Sequence, residues 1–182
     1  MLEDLSAHVL DIAQNSIAAG ASRIDVVLRS SGDSKLVEFE IADDGKGMDE
    51  ARVAEVLNPF CTSRTTRRVG MGLPFLKQSA ENCGGRFCLS SEPGVGTKVF
   101  ASFALDNIDT PPLGDLPGTL LLLLIDAPGV QWTFSLELEG NRFELDSGEL
   151  SEALGGLESL KIPDVALAFK ELVANGLSRK NE

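Results

Sequence analysis

The stretch that most constrains this chain reads Asp-Asp-Gly-Lys-Gly-Met and occupies residues 43–48. Directly before it, Val37, Phe39 and Ile41 alternate with charged neighbours, a pattern that predicts a β-strand with one buried face. The two glycines of the stretch carry no side chain, so the backbone can turn sharply where this strand ends. A simple Asp-Gly hairpin turn would explain the same residues, so the surrounding sequence has to decide between a turn and a binding site.

On both sides of this strand, apolar residues recur at spacings typical of helices and strands. The predicted order is α-β-β-α-α-β-β, with antiparallel hairpins and with the helices gathered on one side of the sheet. This order predicts an α+β fold, a two-layer α/β sandwich over residues 1–105. The predicted elements are a helix over 5–19 that stops at Gly20, strands over 24–29 and 37–43, helices over 49–57 and 74–82, and strands over 87–89 and 98–105.

Residues 106–118 are rich in proline, glycine and aspartate, which is typical of a linker. The remaining segment, 119–182, is predicted to be a small α+β C-terminal domain or extension, to which the sequence assigns no role. Its predicted elements are strands over 119–126, 130–138 and 142–146, followed by helices near 148–156 and 163–176.

The composition argues against several classes of protein. Of 182 residues, 43% are hydrophobic and 24% are charged, which is ordinary for a soluble globular protein. The net charge of -12 argues against nonspecific binding to nucleic acid or to an anionic membrane, because both need clustered lysine and arginine. The acidic N-terminus is unlike a signal peptide, and the apolar run Thr119–Ile125 is too short to cross a bilayer. Cys61, Cys83 and Cys88 are interpreted as free thiols, so we expect a cytoplasmic protein.

Two side chains on the first predicted helix suggest chemistry. Asp11 and Asn15 are four residues apart, so they project from the same helical face. The amide oxygen of asparagine suits Mg2+, which takes oxygen ligands and usually shares them with phosphates. A carboxylate one turn away could hold a water molecule or accept a proton near a terminal phosphate. Taken alone, such a pair is more often an exposed Asp and Asn on an ordinary helix.

The 43–48 stretch and a second glycine motif supply the other parts of a nucleotide site. Asp43 could accept a hydrogen bond from the exocyclic amine of adenine, and its charge would strengthen that bond. Gly45 and Gly47 would let the backbone lie against the flat base. Gly70-Met71-Gly72-Leu73 precedes a helix that begins near Pro74, and such a junction presents free N–H groups to phosphates.

In this order and spacing, the motifs resemble those of the GHKL superfamily. That group takes in gyrase-type topoisomerases, chaperone ATPases, MutL mismatch-repair proteins, sensor histidine kinases and anti-sigma-factor serine kinases. Residues 10–25 look most like MutL, whereas 58–64, 70–73 and 91–97 are similar to the pre-lid, lid and threonine-turn motifs of the kinases. The resemblance covers residues 6–105 and implies a Bergerat ATP-binding fold with ATP and Mg2+ as ligands.

The resemblance also implies a role for individual residues. Asn15 would bind Mg2+, and Asp11 would act as the base at a position where many family members carry glutamate. Asp43 would anchor adenine, and Thr97 would hydrogen-bond to that carboxylate. The remaining nucleotide contacts would come from Gly45, Gly47 and Met48 at the base and from Gly70, Met71, Gly72, Leu73 and Lys77 at the phosphates.

The same resemblance makes residues 61–69 a short ATP lid. Arg64, together with Arg67 and Arg68, could clamp a triphosphate there. A solvated basic loop on an acidic protein would explain the same arginines. Arg68 also stands where the fuller kinase motif has its first glycine.

The function that these features predict is that of a Mg-ATP-binding regulatory protein. It would phosphorylate a partner protein, or change its affinity for that partner when ATP orders the lid. The sole histidine, His8, is expected to be a packing or surface residue, and no upstream helix carries a phosphoacceptor, so we do not expect a self-phosphorylating sensor kinase. The alternative is an ATP-driven switch or clamp without kinase activity, as in MutL, and a homodimer stays open. Every version needs Asp43, Asn15 and Gly72 to line one cavity.

Overall fold

Six strands form one mixed sheet in the computed structural model, which describes residues 4–31, 33, 35–58 and 72–178. Helices lie before, between and after these strands. In chain order the elements are α1 (Leu5–Ala18), β1 (Arg23–Ser31), β2 (Leu36–Asp43), α2 (Glu50–Val56), α3 (Gly72–Asn82), β3 (Phe87–Glu92), β4 (Gly96–Ala104), α4 (Leu116–Asp126), β5 (Gln131–Leu138), β6 (Asn141–Asp146), α5 (Ser147–Leu154), a 3-10 helix (Leu157–Lys161) and α6 (Pro163–Ser178).

The sheet is covered by helices that share its hydrophobic core. Its strands are ordered β3-β4-β2-β1-β5-β6. Neighbouring strands are antiparallel except for β1 and β5, which run parallel. Alternate residues of β1, Ile24, Val26 and Leu28, are buried, and α1, α3 and α6 pack against the sheet. This architecture confirms the predicted α+β sandwich.

Helix α1 begins and ends close to its predicted bounds and carries part of the candidate site. The Asp4 carboxylate caps its start by accepting a hydrogen bond from the N–H of Ala7 at 2.7 Å. At the other end the chain leaves the helix through Gly20, whose φ of 76° lies in the left-handed region. Val9 and Ile12 are buried in the core, so the helix is anchored along its length.

Segment 119–126 is helical, which corrects the predicted strand. The Asp115 carboxylate caps α4 by accepting a hydrogen bond from the N–H of Gly118 at 2.9 Å, and a proline occupies the first turn. Leu120 and Leu124, four residues apart, are both buried, and α4 packs against α1 and α6. A continuous apolar run fits a buried strand and a buried helix equally, and the cap and the buried face are both those of a helix. Among helices in the described part of the chain, none combines the length and apolar character that a membrane span requires.

The segment after the predicted linker extends the same sheet. Trp132 and Phe134 of β5 lie beside Ile24 and Val26 of β1, and all four are buried in one hydrophobic core. The linker itself is held to the start of α1, where a backbone N–H donates to the carbonyl of Pro112. The predicted boundaries after 105 and before 119 therefore mark a connection along the chain rather than a gap between two cores.

The sole histidine is a core residue. His8 is 2% exposed, and its ring centroid lies 6.4 Å from that of Phe103. Its Nδ1 has no hydrogen-bond partner among the residues that the structure describes. Burial lowers the pKa of His8, and the nearby carboxylate of Asp4 opposes part of that shift. Of its two expected roles, packing is therefore the one observed.

This lowered pKa predicts a stability that depends on pH. The free energy of unfolding should fall as the pH drops below the ordinary histidine value of 6.5, because the unfolded chain then binds a proton that the folded chain excludes. For one proton the slope approaches about 1.4 kcal/mol per pH unit. Urea denaturation of the wild type and of His8→Leu, from about pH 7.5 to about pH 5, measures the difference and removes the carboxylate titrations common to both. Parallel curves for the two proteins would contradict the prediction.

Candidate functional site

A cavity of about 360 Å3 opens between α1, the 43–48 stretch, α2 and the start of α3. Asp43, Asn15 and Gly72, which the sequence predicts to share one cavity, all line it. Leu73, Met48 and Thr97, which are also predicted site residues, line the same cavity. The full set of lining residues in the described chain is Ile12, Asn15, Ser16, Ala18, Ala19, Asp43, Lys46, Gly47, Met48, Arg52, Val56, Gly72, Leu73, Thr97 and Val99.

Asp43 stands at the end of β2 with both carboxylate oxygens in use. The Ser16 hydroxyl donates to its Oδ2 at 2.6 Å, and the N–H of Gly45 donates to its Oδ1 at 2.9 Å. These two donors fix the orientation of the carboxylate. Each oxygen keeps lone-pair capacity for one further donor. Asp43 is therefore a pre-oriented acceptor in the wall of the cavity.

Thr97 supports the site by a different contact from the one predicted. It pairs with Asp43 in the β2–β4 register, but its hydroxyl lies 2.8 Å from that of Ser91. Ser91 also accepts a hydrogen bond from the N–H of Met48 at 2.8 Å. Among the described residues, the Asp43 carboxylate takes its side-chain hydrogen bond from Ser16, which α1 brings closer. Thr97 instead ties the 43–48 stretch to the β3–β4 hairpin.

The two glycines of the 43–48 stretch allow close packing at two different places. Gly47 lines the cavity with a φ of 63°, and a Cβ added there would collide with the backbone carbonyl of Glu92. Gly45 is buried behind the wall, where an added Cβ would lie 2.9 Å from the Asp43 carboxylate and 3.0 Å from the Ala19 side chain. Gly47 therefore sets the contact with the hairpin, and Gly45 sets the contact with α1.

Asp11 lies against the first residue of α3. A Cβ added at Gly72 would collide with the Oδ2 atom of Asp11, so the carboxylate packs directly on this glycine. Burial raises the pKa of Asp11. Within the described chain its side chain has no hydrogen bond or ion pair that would oppose this shift. Asp11 is not part of the cavity wall, but it adjoins the wall at Gly72.

Asn15 lies on the same helix, one turn nearer to Asp43. Its side chain lines the cavity, and its amide makes no hydrogen bond within the described residues. No cluster of three or more His, Cys, Asp or Glu side chains suited to a metal occurs in residues 4–31, 33, 35–58 and 72–178. A free amide oxygen in the wall of this cavity fits Mg2+, which is commonly held by one or two protein oxygens together with phosphates and water.

Several predicted site residues are not found in the described wall. The predicted lid over 61–69, which includes Arg64, lies outside the described residues, and so do Gly70 and Met71. Lys77 is half-buried on α3 and is not among the described residues that line the cavity.

Three lining residues carry polar groups to which the sequence assigned no role. Ser16 directly follows Asn15, and its inward position on α1 is the signal that could have identified it. Lys46 and Arg52 bring positive charge to the cavity. Arg52 and Val56 are four residues apart on α2, so one face of that helix forms part of the wall.

Residues 2–107 match the family model described as "Histidine kinase-, DNA gyrase B-, and HSP90-like ATPase". The chain belongs to this family. The predicted resemblance to the GHKL superfamily is thereby confirmed, and the cavity described above lies within the matched residues.

Two sequence relatives and one solved structure illustrate the similarity. The autoinducer 2 sensor kinase/phosphatase LuxQ of Vibrio cholerae serotype O1 is 25% identical in an alignment of 168 residues that covers 84% of this chain and 20% of LuxQ. The mismatch repair protein MutL of Rhodopseudomonas palustris is 39% identical over 64 residues, 35% of this chain and 10% of MutL. The Aquifex aeolicus MutL ATPase domain complexed with ADP superposes with a TM-score of 0.53 at 16% identity, covering 87% of this chain and 70% of that domain. This chain thus spans a fifth of the length of LuxQ and a tenth of the length of that MutL.

The packing around Gly47 can be tested by stability. Gly47→Ala should lower the free energy of unfolding by on the order of 3 kcal/mol, because it adds a collision with backbone to a left-handed φ. Gly94→Ala is the matched control, since Gly94 has a φ of 76° but nothing within 4 Å of an added Cβ. The control should cost only about 1 kcal/mol. If the two variants lost equal free energy of unfolding in urea denaturation, the collision with the Glu92 carbonyl would add no cost.

Proposed function

We propose that this chain binds Mg-ATP in the cavity and acts on a partner protein, by phosphoryl transfer or by binding that depends on ATP. The observation that carries this proposal is the shared cavity of Asp43, Asn15 and Gly72. Along α1, Ser16 bonds to Asp43, whereas Asp11, more than one turn earlier, packs on Gly72, so the carboxylate and the glycine start of α3 lie toward different ends of the cleft. A metal-compatible amide lies in the same wall. This arrangement matches the two ends of a nucleotide.

Asp43 is suited to hold the base. Its two oxygens are already oriented by Ser16 and Gly45, so an exocyclic amine meets an acceptor that needs no rearrangement. Gly47 exposes backbone in the wall beside it. Met48 and Val99 add apolar surface on which a flat ring can pack. These contacts favour adenine, because guanine presents a carbonyl where adenine presents the amine.

The opposite end of the cavity is suited to phosphates. Gly72 and Leu73 open α3, and the first turn of a helix has backbone N–H groups without partners inside the helix. The Asn15 amide would hold Mg2+, which when bound neutralises phosphate charge and orients the terminal phosphoryl group. Positioning and charge neutralisation of this kind account for most of phosphoryl-transfer catalysis.

Asp11 is the candidate general base. It packs on Gly72, so it lies beside the phosphate end of the cavity. Its pKa is raised by burial, which makes its ionised form a stronger base than an exposed aspartate. In this role it would accept the proton of the attacking hydroxyl, imidazole or water.

The phosphoacceptor would belong to another protein. His8 is buried in the core, where only 2% of its surface is exposed to solvent. Histidine transfer within this chain therefore has no accessible acceptor among the described residues. A serine, threonine or histidine of a partner would have to approach the Gly72 end of the cavity.

A cytoplasmic location is part of the proposal. Cys83 and Cys88 are both free in the structure, which supports a reducing compartment. The strong net negative charge supports the expectation that neither nucleic acid nor an anionic membrane is a direct ligand.

The second candidate is an ATP-driven switch or clamp without kinase activity. The 39% identity to a MutL over 64 residues favours it. A clamp would form a homodimer when ATP binds and would label no protein with the terminal phosphate. A kinase would transfer radiolabel from ATP to a protein in a cell lysate, so the two candidates are separated by one labelling experiment and one measurement of mass in solution.

The base contact is tested by Asp43→Asn. The amide would set an NH2 group against one of the donors from Ser16 and Gly45, so we expect affinity for Mg-ATP to fall by about 10-fold or more. Asp25→Asn is the matched control, because Asp25 lies on the same sheet and pairs with Arg23. Calorimetric titration with Mg-ATP, Mg-ADP and Mg-GTP measures these affinities. If the wild type bound GTP as tightly as ATP, the assignment of Asp43 to the base would be wrong.

The proposed base is tested by Asp11→Asn. Mg-ATP affinity should not weaken, whereas hydrolysis or transfer should drop by about 100-fold, because the amide cannot accept the proton. The wild-type rate should rise with pH through a pKa above the ordinary aspartate value of 3.8, since the base must be ionised. The variant should lack that rise. An unchanged rate in the variant would remove Asp11 from the reaction.

A further inference from the structure

We propose that Arg52 stacks its guanidinium on the purine ring and thereby selects purine over pyrimidine nucleotides. This inference rests on the proposed function, because it concerns the same cavity. It assigns to α2 a role in specificity that neither the motifs nor the family match assigns to any residue of that helix.

Helix α2 contributes to the cavity and not to the core. None of its residues in Glu50–Val56 is fully buried. Arg52 and Val56 are four residues apart and both line the cavity, so the face they share is directed there. Toward the cavity this short helix presents one apolar side chain, that of Val56, and one guanidinium, that of Arg52.

We place Arg52 toward the base end of the cavity from its link to Asp43. It follows Met48 by four residues, and the N–H of Met48 donates to the hydroxyl of Ser91, which lies 2.8 Å from that of Thr97. Thr97 in turn pairs with Asp43 in the β2–β4 register. Helix α1 also lines the cavity, through residues that include Ile12. In the proposed arrangement a flat ring anchored at Asp43 lies between α1 on one face and the Met48 and Arg52 wall on the other.

The guanidinium is held but not enclosed. Its Nη1 lies 2.6 Å from the Oε2 atom of Glu55, and the Arg52 side chain is 52% exposed. The ion pair engages the edge of the group, which leaves its planar face free. Guanidinium planes stack on aromatic faces, whereas an ammonium offers charge without a plane.

Asp43 alone cannot complete the selection of adenine. Cytosine presents the same pattern as adenine along its pairing edge, an exocyclic amine next to a ring nitrogen acceptor. A carboxylate that reads the C6 amine of adenine disfavours guanine in the same orientation, because guanine has a carbonyl at C6, but it accepts cytosine. A stacking group distinguishes the two by ring area, because the two fused rings of a purine offer more surface than one ring. Asp43 and Arg52 would thus read different properties of the base.

The experiment compares affinities for Mg-ATP, Mg-CTP, Mg-GTP and adenosine in four proteins. These are the wild type, Arg52→Ala, Arg52→Lys and Arg142→Ala. Alanine and lysine are good helix formers, and the N–H of residue 52 that Asp49 caps is kept. Arg142→Ala is the matched control, because Arg142 is also an exposed arginine in an ion pair with a nearby glutamate, on β6.

We expect Arg52→Ala to bind Mg-ATP and adenosine more weakly by a similar factor, about 3- to 30-fold. Binding of Mg-CTP should weaken less, so the preference for ATP over CTP should shrink, while the preference for ATP over GTP should stay. Arg52→Lys should resemble Arg52→Ala, and Arg142→Ala should resemble the wild type.

Three results would overturn the inference. The first is unchanged affinity in Arg52→Ala, and the second is full recovery in Arg52→Lys. The third is a loss that grows from adenosine to ATP, which would mean that Arg52 contacts phosphate. Failure of the proposed function has a different signature, since the wild type would then bind no adenine nucleotide or would be insensitive to Asp43→Asn.

Discussion

The candidate site depends on the hydrogen bond between the Ser16 hydroxyl and the Asp43 carboxylate. This bond joins α1 to the end of β2, across the two layers of the sandwich. Asn15 precedes Ser16 on α1, so the bond that orients the acceptor also fixes its distance from the metal-compatible amide. Asp43 is half-buried, and a polar group withdrawn from water needs hydrogen-bond partners; here the donors are Ser16 and the backbone at Gly45.

One helix then sets the spacing of the whole site. Asp11, Asn15 and Ser16 span little more than one turn of α1, and each successive turn advances by about 5.4 Å. Asp11 therefore meets the start of α3, while Ser16 meets the end of β2. The core residues Val9 and Ile12 on the same helix couple this spacing to the packing of the fold. A shift of α1 would move both ends of the site together.

Most of the fold within residues 5–105 could be predicted from sequence, because the elements there are amphipathic and end at clear signals such as Gly20. The common cavity of Asp43, Asn15 and Gly72 could also be predicted. Three features could not be predicted. The first is α4, a leucine-rich run whose apolar pattern has no clear period and therefore does not distinguish a strand from a helix.

The other two failures concern contacts across elements. The partner of Asp43 depends on how close α1 comes to β2, which no local pattern specifies, and Ser16 therefore took the role predicted for Thr97. Arg52 belongs to a helix without a buried face, so it carries no periodic signal of burial. Side chains that read a ligand from a half-exposed wall look like ordinary surface residues in a sequence.

The parallel pairing of β1 with β5 has a consequence for what counts as the folding unit. The family match ends at residue 107, yet β1 is an interior strand only because β5 lies next to it. Cutting the chain at that point would uncover the unpaired N–H and C=O groups of β1 and the apolar surface that Trp132 and Phe134 cover. An open strand edge of that kind invites association with other chains. We therefore expect the smallest autonomous folding unit to be longer than the motif-bearing region, because the segment after residue 107 covers β1 in the middle of the sheet.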